Sequence, residues 1–163
     1  MRILHFCKYH GAGNDFVLID NRSGNNALSN EEVALLCHRQ LGIGGDGLMM
    51  LGKSDNADFE MIYYNSDGHQ ASMCGNGGRC IVAFAKHLNI IDKRTTFEAY
   101  DGLHSAEIIE WNNNCGVVKL GIEISTDIEE LLKGWKIDTV SPHYIEFINS
   151  DIIKYDVVNN GRR

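Results

Sequence analysis

From Asn65 to Leu88 the chain reads N-S-D-G-H-Q-A-S-M-C-G-N-G-G-R-C-I-V-A-F-A-K-H-L, a glycine-rich turn running straight into an apolar helix. Ile81, Val82, Ala83, Phe84, Ala85 and Leu88 leave that helix almost no polar face, so it has to be enclosed by other elements rather than laid on a surface. A sheet wrapped around it meets that requirement. The turn also sets Cys74 where the helix begins. The first N–H groups of a helix have no partner within it, and the aligned peptide dipoles add about half a positive charge there, which attracts anions and favours a thiolate. Cys74 is therefore a candidate acid/base thiol. Gly75, Gly77 and Gly78 are poor helix starters and suit a backbone that must stay open to a ligand carboxylate. A buried structural cysteine is the plain alternative, because free cysteines are commonly buried.

Upstream, Ile3 to Tyr9 and Asp15 to Asp20 read as two short strands around the turn H-G-A-G-N, where closely spaced glycines permit a tight path. After a polar connector, Ser29-x-x-Glu32 reads as a capping box, with Val33, Leu36, Cys37 and Leu41 at helical spacing up to a stop at Gly42. Leu48 to Leu51 and Phe59 to Tyr64 are the next strands, the second with Phe59, Met61 and Tyr63 on one face. Downstream of the Cys74 helix, Thr96 to Tyr100 and Leu103 to Trp111 form a hairpin about Asp101-Gly102, followed by Asn112-Asn113-Asn114 and a strand from Val117 to Leu120. The predicted fold class is α+β, a mixed β-sheet wrapped around a central apolar helix, without the regular alternation of a βαβ protein. Near Gly121 the pattern shifts, with a charged stretch and strands at Lys136 to Val140, Tyr144 to Ile148 and Ile152 to Val158. Residues 1–120 are expected to form one domain and 121–163 the opening of a second, since so short a piece rarely buries enough surface alone.

The 163 residues carry a formal net charge of −7, which argues against nucleic acid or an anionic membrane as the main partner. Cys7, Cys37, Cys74, Cys80 and Cys115 contain no C-x-x-C pair and are odd in number, as expected of free thiols in a reducing compartment. No signal-peptide core or apolar run of membrane-spanning length is present in the sequence, and a cytoplasmic location is expected. Gly42-Ile43-Gly44-Gly45-Asp46-Gly47 matches G-x-G-x-x-G, but it follows a helix and precedes a strand, the reverse of the dinucleotide-binding order, and reads as a helix C-cap and loop. The seven histidines show no zinc spacing, and no metal site is expected. Cys80 lies about 240° around the helix and about 9 Å along it from Cys74, amid apolar neighbours, and reads as a packed core thiol. Asn14, Asn65 and Asn76 sit in turns, where asparagine serves equally as a turn former or as a ligand to substrate.

Together K-Y-H-G-A-G-N-D-F (Lys8 to Phe16), R-Q-L-G-I-G-G-D-G (Arg39 to Gly47), Y-N-S-D-G (Tyr64 to Gly68) and M-C-G-N-G-G-R-C (Met73 to Cys80) resemble the diaminopimelate epimerase family. The resemblance implies an isomerase that interconverts LL- and meso-diaminopimelate on the route to lysine and peptidoglycan precursors, without pyridoxal phosphate or any other cofactor. It further implies two pseudo-symmetric domains, each a sheet around a central helix, of which this chain holds the first and the start of the second. Cys74 then resembles one of two catalytic cysteines on opposite faces of the α-carbon, one removing the proton while the other delivers it. Gly75 and Asn76 match the segment that binds the substrate carboxylate, and Asn14 and Asn65 match residues that hold the substrate. The chemistry is coherent, because an unactivated α-proton is a very weak acid whose removal needs a desolvated base beside a pre-oriented anion site.

Two positions depart from the pattern. Gly47 stands where many members carry glutamine, and Ser141 of Val140-Ser141-Pro142-His143 replaces the asparagine ligand of a G-N-P-H segment, with His143 a site-wall residue. These leave open an epimerase or racemase of another amino acid, and a non-catalytic binding or assembly domain is the reading from another class. Arg163 precedes the place of the family's second cysteine and of its glutamate-arginine pair, and Cys115 has no glycine-rich helix start after it. This stretch by itself is accordingly expected not to epimerise. A small-molecule amino acid is the expected partner, with a homodimer left open.

Overall fold

The computed structural model describes residues 3–112, 115–122, 128–138, 142–149 and 151–161. Strands β1 (Cys7–Gly11) and β2 (Asn14–Asp20) form a hairpin, followed by helix α1 (Asn30–Cys37), strands β3 (Gly47–Gly52) and β4 (Phe59–Asn65), helix α2 (Gly75–His87), and strands β5 (Arg94–Ala99), β6 (Gly102–Asn112) and β7 (Cys115–Leu120). The seven strands make one sheet in sequence order. β2 with β3 and β4 with β5 are parallel and the other neighbours antiparallel. Each parallel pair is joined through a helix, because parallel neighbours need a crossover.

The centre of the sheet is covered on both faces, which is why β2 and β3 read as unbroken apolar runs. Val17, Ile19, Leu48 and Met50 pack with Val33 and Cys37 of α1. Their alternates, Phe16, Leu18, Met49 and Leu51, pack with Ile81, Val82, Phe84 and Ala85 of α2. Phe59, Met61 and Tyr63 join that second cluster, the face expected from their spacing. Because α2 touches β1, β2 and β3 as well as β6 and β7, the sheet curls around it from both edges. Ile81, Val82 and Ala85 are fully enclosed.

Three expectations are corrected. The first strand runs Cys7–Gly11 rather than Ile3 to Tyr9, because the tight turn at Ala12 (φ 54°) and Gly13 (φ 90°) pins Gly11 opposite Asn14 and Cys7 opposite Leu18. Ser29 and Glu32 do form the reciprocal capping box, but α1 ends at Cys37 and not near Leu41. The glycine loop stops it: the N–H groups of Ile43 and Gly44 donate to the Leu36 carbonyl, and that of Gly45 to Cys37. Amides spent in this way cap a helix C-terminus. Finally, Ile152–Val158 is not a strand. A 3-10 turn (Ile152–Lys154) and helix α3 (Val157–Gly161) stand there, started by Asp151 and Asp156, whose carboxylates accept the Ile153 and Asn159 N–H groups at 3.1 Å.

The chain divides into two compact units, Met1–Ile122 and Glu123–Arg163. In the second, β8 (Glu129–Leu131), β9 (Gly134–Asp138) and β10 (Pro142–Ile145) form an antiparallel sheet with β9 central. Trp135 and Phe147 pack edge to face at 5.6 Å. Ile128, Leu132, Tyr144, Phe147 and Ile153 are exposed, so this unit encloses little apolar surface of its own. Among the described residues, no helix is long and apolar enough to cross a membrane.

Candidate active site

Cys74 is the N-cap of α2, with extended backbone (φ −103°, ψ 127°) and no side-chain capping bond. Its carbonyl accepts the Gly78 N–H at 2.6 Å, and its half-buried side chain packs at the edge of the core cluster around α2. It faces the beginning of β2. The Cys74 thiol donates to Asn14 Oδ1 at 3.8 Å, and Asn76 Nδ2 donates to the same oxygen at 3.3 Å. Residues sixty positions apart in sequence thus meet because the sheet curls until its β1–β2 end abuts the first turn of α2.

Asn14 is held in turn from behind. Its Nδ2 donates to Asp46 Oδ2 at 2.6 Å, and the Asp15 backbone N–H reaches the same oxygen at 3.2 Å. Arg39 bridges the two carboxylates, with Nη2 at 2.8 Å from Asp15 and 2.7 Å from Asp46. Lys8 Nζ lies 2.8 Å from Asp15 and also donates to the Gly44 carbonyl. The hydrogen bonds from Arg39 and Lys8 hold the Asp15 carboxyl well below the usual carboxylate range. Those from Asn14 and the Asp15 N–H lower that of Asp46. On the far side, Arg79 donates to Asn76 Oδ1.

Asn14, Cys74, Gly75 and Asn76 are therefore together at one helix end. Asn65 ends β4 at the same end of the sheet, paired with Gly47, which itself pairs with Phe16. Its N–H donates to His69 and its carbonyl accepts from Gly68, both at 2.9 Å, so what is seen of it is turn chemistry. His143 lies exposed on β10 in the second unit, and Ser141 falls outside the described residues. Of the three helix-starting glycines only Gly75 could take a Cβ without crowding, at 3.9 Å from Arg79 Nη1 and Ile122 Cδ1. A Cβ at 77 would come within 3.1 Å of Met49 Cε, and one at 78 within 2.9 Å of Leu120 Cδ2. Those two let the helix sit close on the sheet, a packing reason for glycine that their spacing did not reveal.

Tyr63 of β4 is buried in the core, and burial pushes its phenol up to about 12. A Cβ on Gly47 would lie 2.6 Å from both Tyr63 Cε2 and the Tyr64 carbonyl. The space a larger residue would need is taken by Tyr63. Burial pushes the Cys80 thiol up to about 12 and that of Cys37 to about 11, while Cys115 is exposed. Among the described residues no group of three or more His, Cys, Asp or Glu is arranged for a metal ion. Asp46, Arg39 and Arg79 were not singled out by sequence reasoning. The nearest signal was a charged residue at each end of the glycine loop, Arg39 and Asp46.

The family model for diaminopimelate epimerase matches residues 6–123. The diaminopimelate epimerase of Flavobacterium psychrophilum is 45% identical over 161 residues, covering 96% of this chain and 59% of that protein. That of Chlorobaculum tepidum is 41% identical over 158 residues, covering 93% and 60%. The chain thus spans about three fifths of the length of these curated relatives. Among solved structures, a probable proline racemase from Agrobacterium radiobacter aligns with a TM-score of 0.61 at 15% identity, over 88% of this chain and 48% of that one. This likeness places the curled sheet and central helix in a known α+β fold.

Proposed function

This chain belongs to the diaminopimelate epimerase family, and on that premise we propose that it carries one half of a proton-transfer site acting at the α-carbon of diaminopimelate. In this reading Cys74 exchanges the α-proton, and the substrate's α-carboxylate sits on the unpaired N–H groups of Gly75 and Asn76 at the start of α2. As the C–H bond breaks, its electron pair spreads into that carboxylate, and the helix end stabilises the growing charge. Asn14, Asn65, Ser141 and His143 orient the rest of the substrate, a second thiol serves the opposite face, and no cofactor takes part. The protein works in the cytoplasm, and the 163-residue chain on its own is inactive. The observation that carries this reading is the Cys74 sulfur, unspent on capping and directed at Asn14 3.8 Å away.

The test is carried out in deuterium oxide with the protein that bears this sequence, reduced and folded, and either diaminopimelate isomer. Inversion with solvent deuterium entering at the α-carbon is expected, and Cys74→Ser should lower the rate by about 10²–10⁴-fold. No exchange by the folded, reduced protein would overturn the reading. The Gly47–Tyr63 contact favours a second one, an epimerase of another amino acid whose side chain meets Tyr63. Higher turnover on a single-carboxylate amino acid than on diaminopimelate would select it.

A further inference from the structure

Two amides at the site, Asn14 and Asn76, stand in a chain whose ends are both charged. Arg79 donates to Asn76 Oδ1, Asn76 Nδ2 donates to Asn14 Oδ1, and Asn14 Nδ2 donates to Asp46 Oδ2, which Arg39 also bridges. A guanidinium only donates and an ionised carboxylate only accepts. The chain can therefore run in one direction alone. Reversing Asn14 would set its oxygen against Asp46 and its NH2 against that of Asn76. Reversing both amides would leave oxygen facing carboxylate at one end and NH2 facing guanidinium at the other. Each end is a charge-assisted bond, roughly twice as strong as a neutral one.

We infer that Asp46 and Arg79 are positioning residues that clamp the Asn14 and Asn76 amides from outside, so that Asn14 shows Cys74 only its carbonyl oxygen. The Asn14 oxygen then accepts two donors, the Cys74 S–H and the Asn76 amide. Each NH2 keeps a second hydrogen that the chain does not use, so both amides have a donor left for a ligand. That polarity fits an anionic oxygen and needs no amide rotation when it arrives. The lowered pKa of Asp46, to which Asn14 contributes most, keeps its end of the clamp ionised.

This inference rests on the proposed site, but its test reads thiol chemistry and not turnover. The alkylation rate of Cys74 by neutral iodoacetamide is followed by peptide mass spectrometry, beside the side-chain NH2 signals of Asn14 and Asn76 in nitrogen-15 spectra. Asp46→Asn can meet Asn14 with either end, so it should speed alkylation about three- to tenfold, the worth of one net hydrogen bond, and shift the Asn14 signal. Asp15→Asn removes the same charge beside Arg39 but leaves the clamp, and should stay within about twofold of the parent. If Asp46→Asn does not fold, Arg79→Gln opens only the Asn76 end, and should shift the Asn76 signal while that of Asn14, still held by Asp46, stays in place. An unchanged rate and Asn14 signal in Asp46→Asn, an unchanged Asn76 signal in Arg79→Gln, or equal acceleration by Asp15→Asn and Asp46→Asn, would overturn it. Loss of the epimerase reading with these responses intact would leave the clamp standing.

Discussion

Asp15 shows how one residue's environment becomes a pH dependence. Arg39 and Lys8 hold its carboxyl below the usual range, so the folded chain binds a proton there less readily than the unfolded chain, whose value is about 3.9. A depressed folded pKa stabilises the fold above the unfolded value and ceases to do so as pH falls through the folded one. Because Arg39 is more than half exposed and solvent screens the pair, the contribution is about 1 kcal/mol or less. In urea melts, Asp15→Asn should be less stable than the parent near neutrality, and the two should converge as the solution is acidified below about pH 3. A gap that persists in acid would assign the effect to packing. None of this was legible in the sequence, where Lys8, Asp15 and Arg39 are merely charged residues in two separate motifs.

Elements were legible where their cause is local. The capping box of α1 needs only Ser29 and Glu32, three positions apart, and both of its bonds form. The end of α1 was not, because its last carbonyls are taken by Ile43, Gly44 and Gly45, whose return depends on where β3 must enter the sheet. Strand β3 carries its own constraint at Gly47, where a Cβ would overlap Tyr63 and the Tyr64 carbonyl on β4. Since backbone cannot yield as a flexible side chain does, Gly47→Ala should destabilise by about 1–3 kcal/mol. Gly75→Ala, whose Cβ would make only ordinary contacts at 3.9 Å, should change stability by less than about 0.5 kcal/mol. Denaturant midpoints of the two variants make the comparison, and equal losses would show that the β3–β4 contact is not the reason.

At the scale of the molecule, the two units differ in how much they bury. The first encloses α2 within seven strands, whereas the strands of the second are almost wholly exposed. Amides that open locally, with few buried contacts, exchange before those needing global unfolding. Hydrogen exchange of the 163-residue chain should therefore be complete in β8, β9 and β10 while β2, β3 and α2 remain protected. Equal protection in both units would contradict this. The sequence by itself determined the family, the α+β class and the enclosure of α2, because apolar periodicity, capping pairs and glycine turns act between near neighbours. Only the tertiary structure decided that Gly77 and Gly78 serve packing, that Tyr63 occupies the space above Gly47, and that Asp46 and Arg79 grip the amides beside Cys74. Each of those depends on contacts that exist only once the sheet has curled around the helix, and no local rule reports on them.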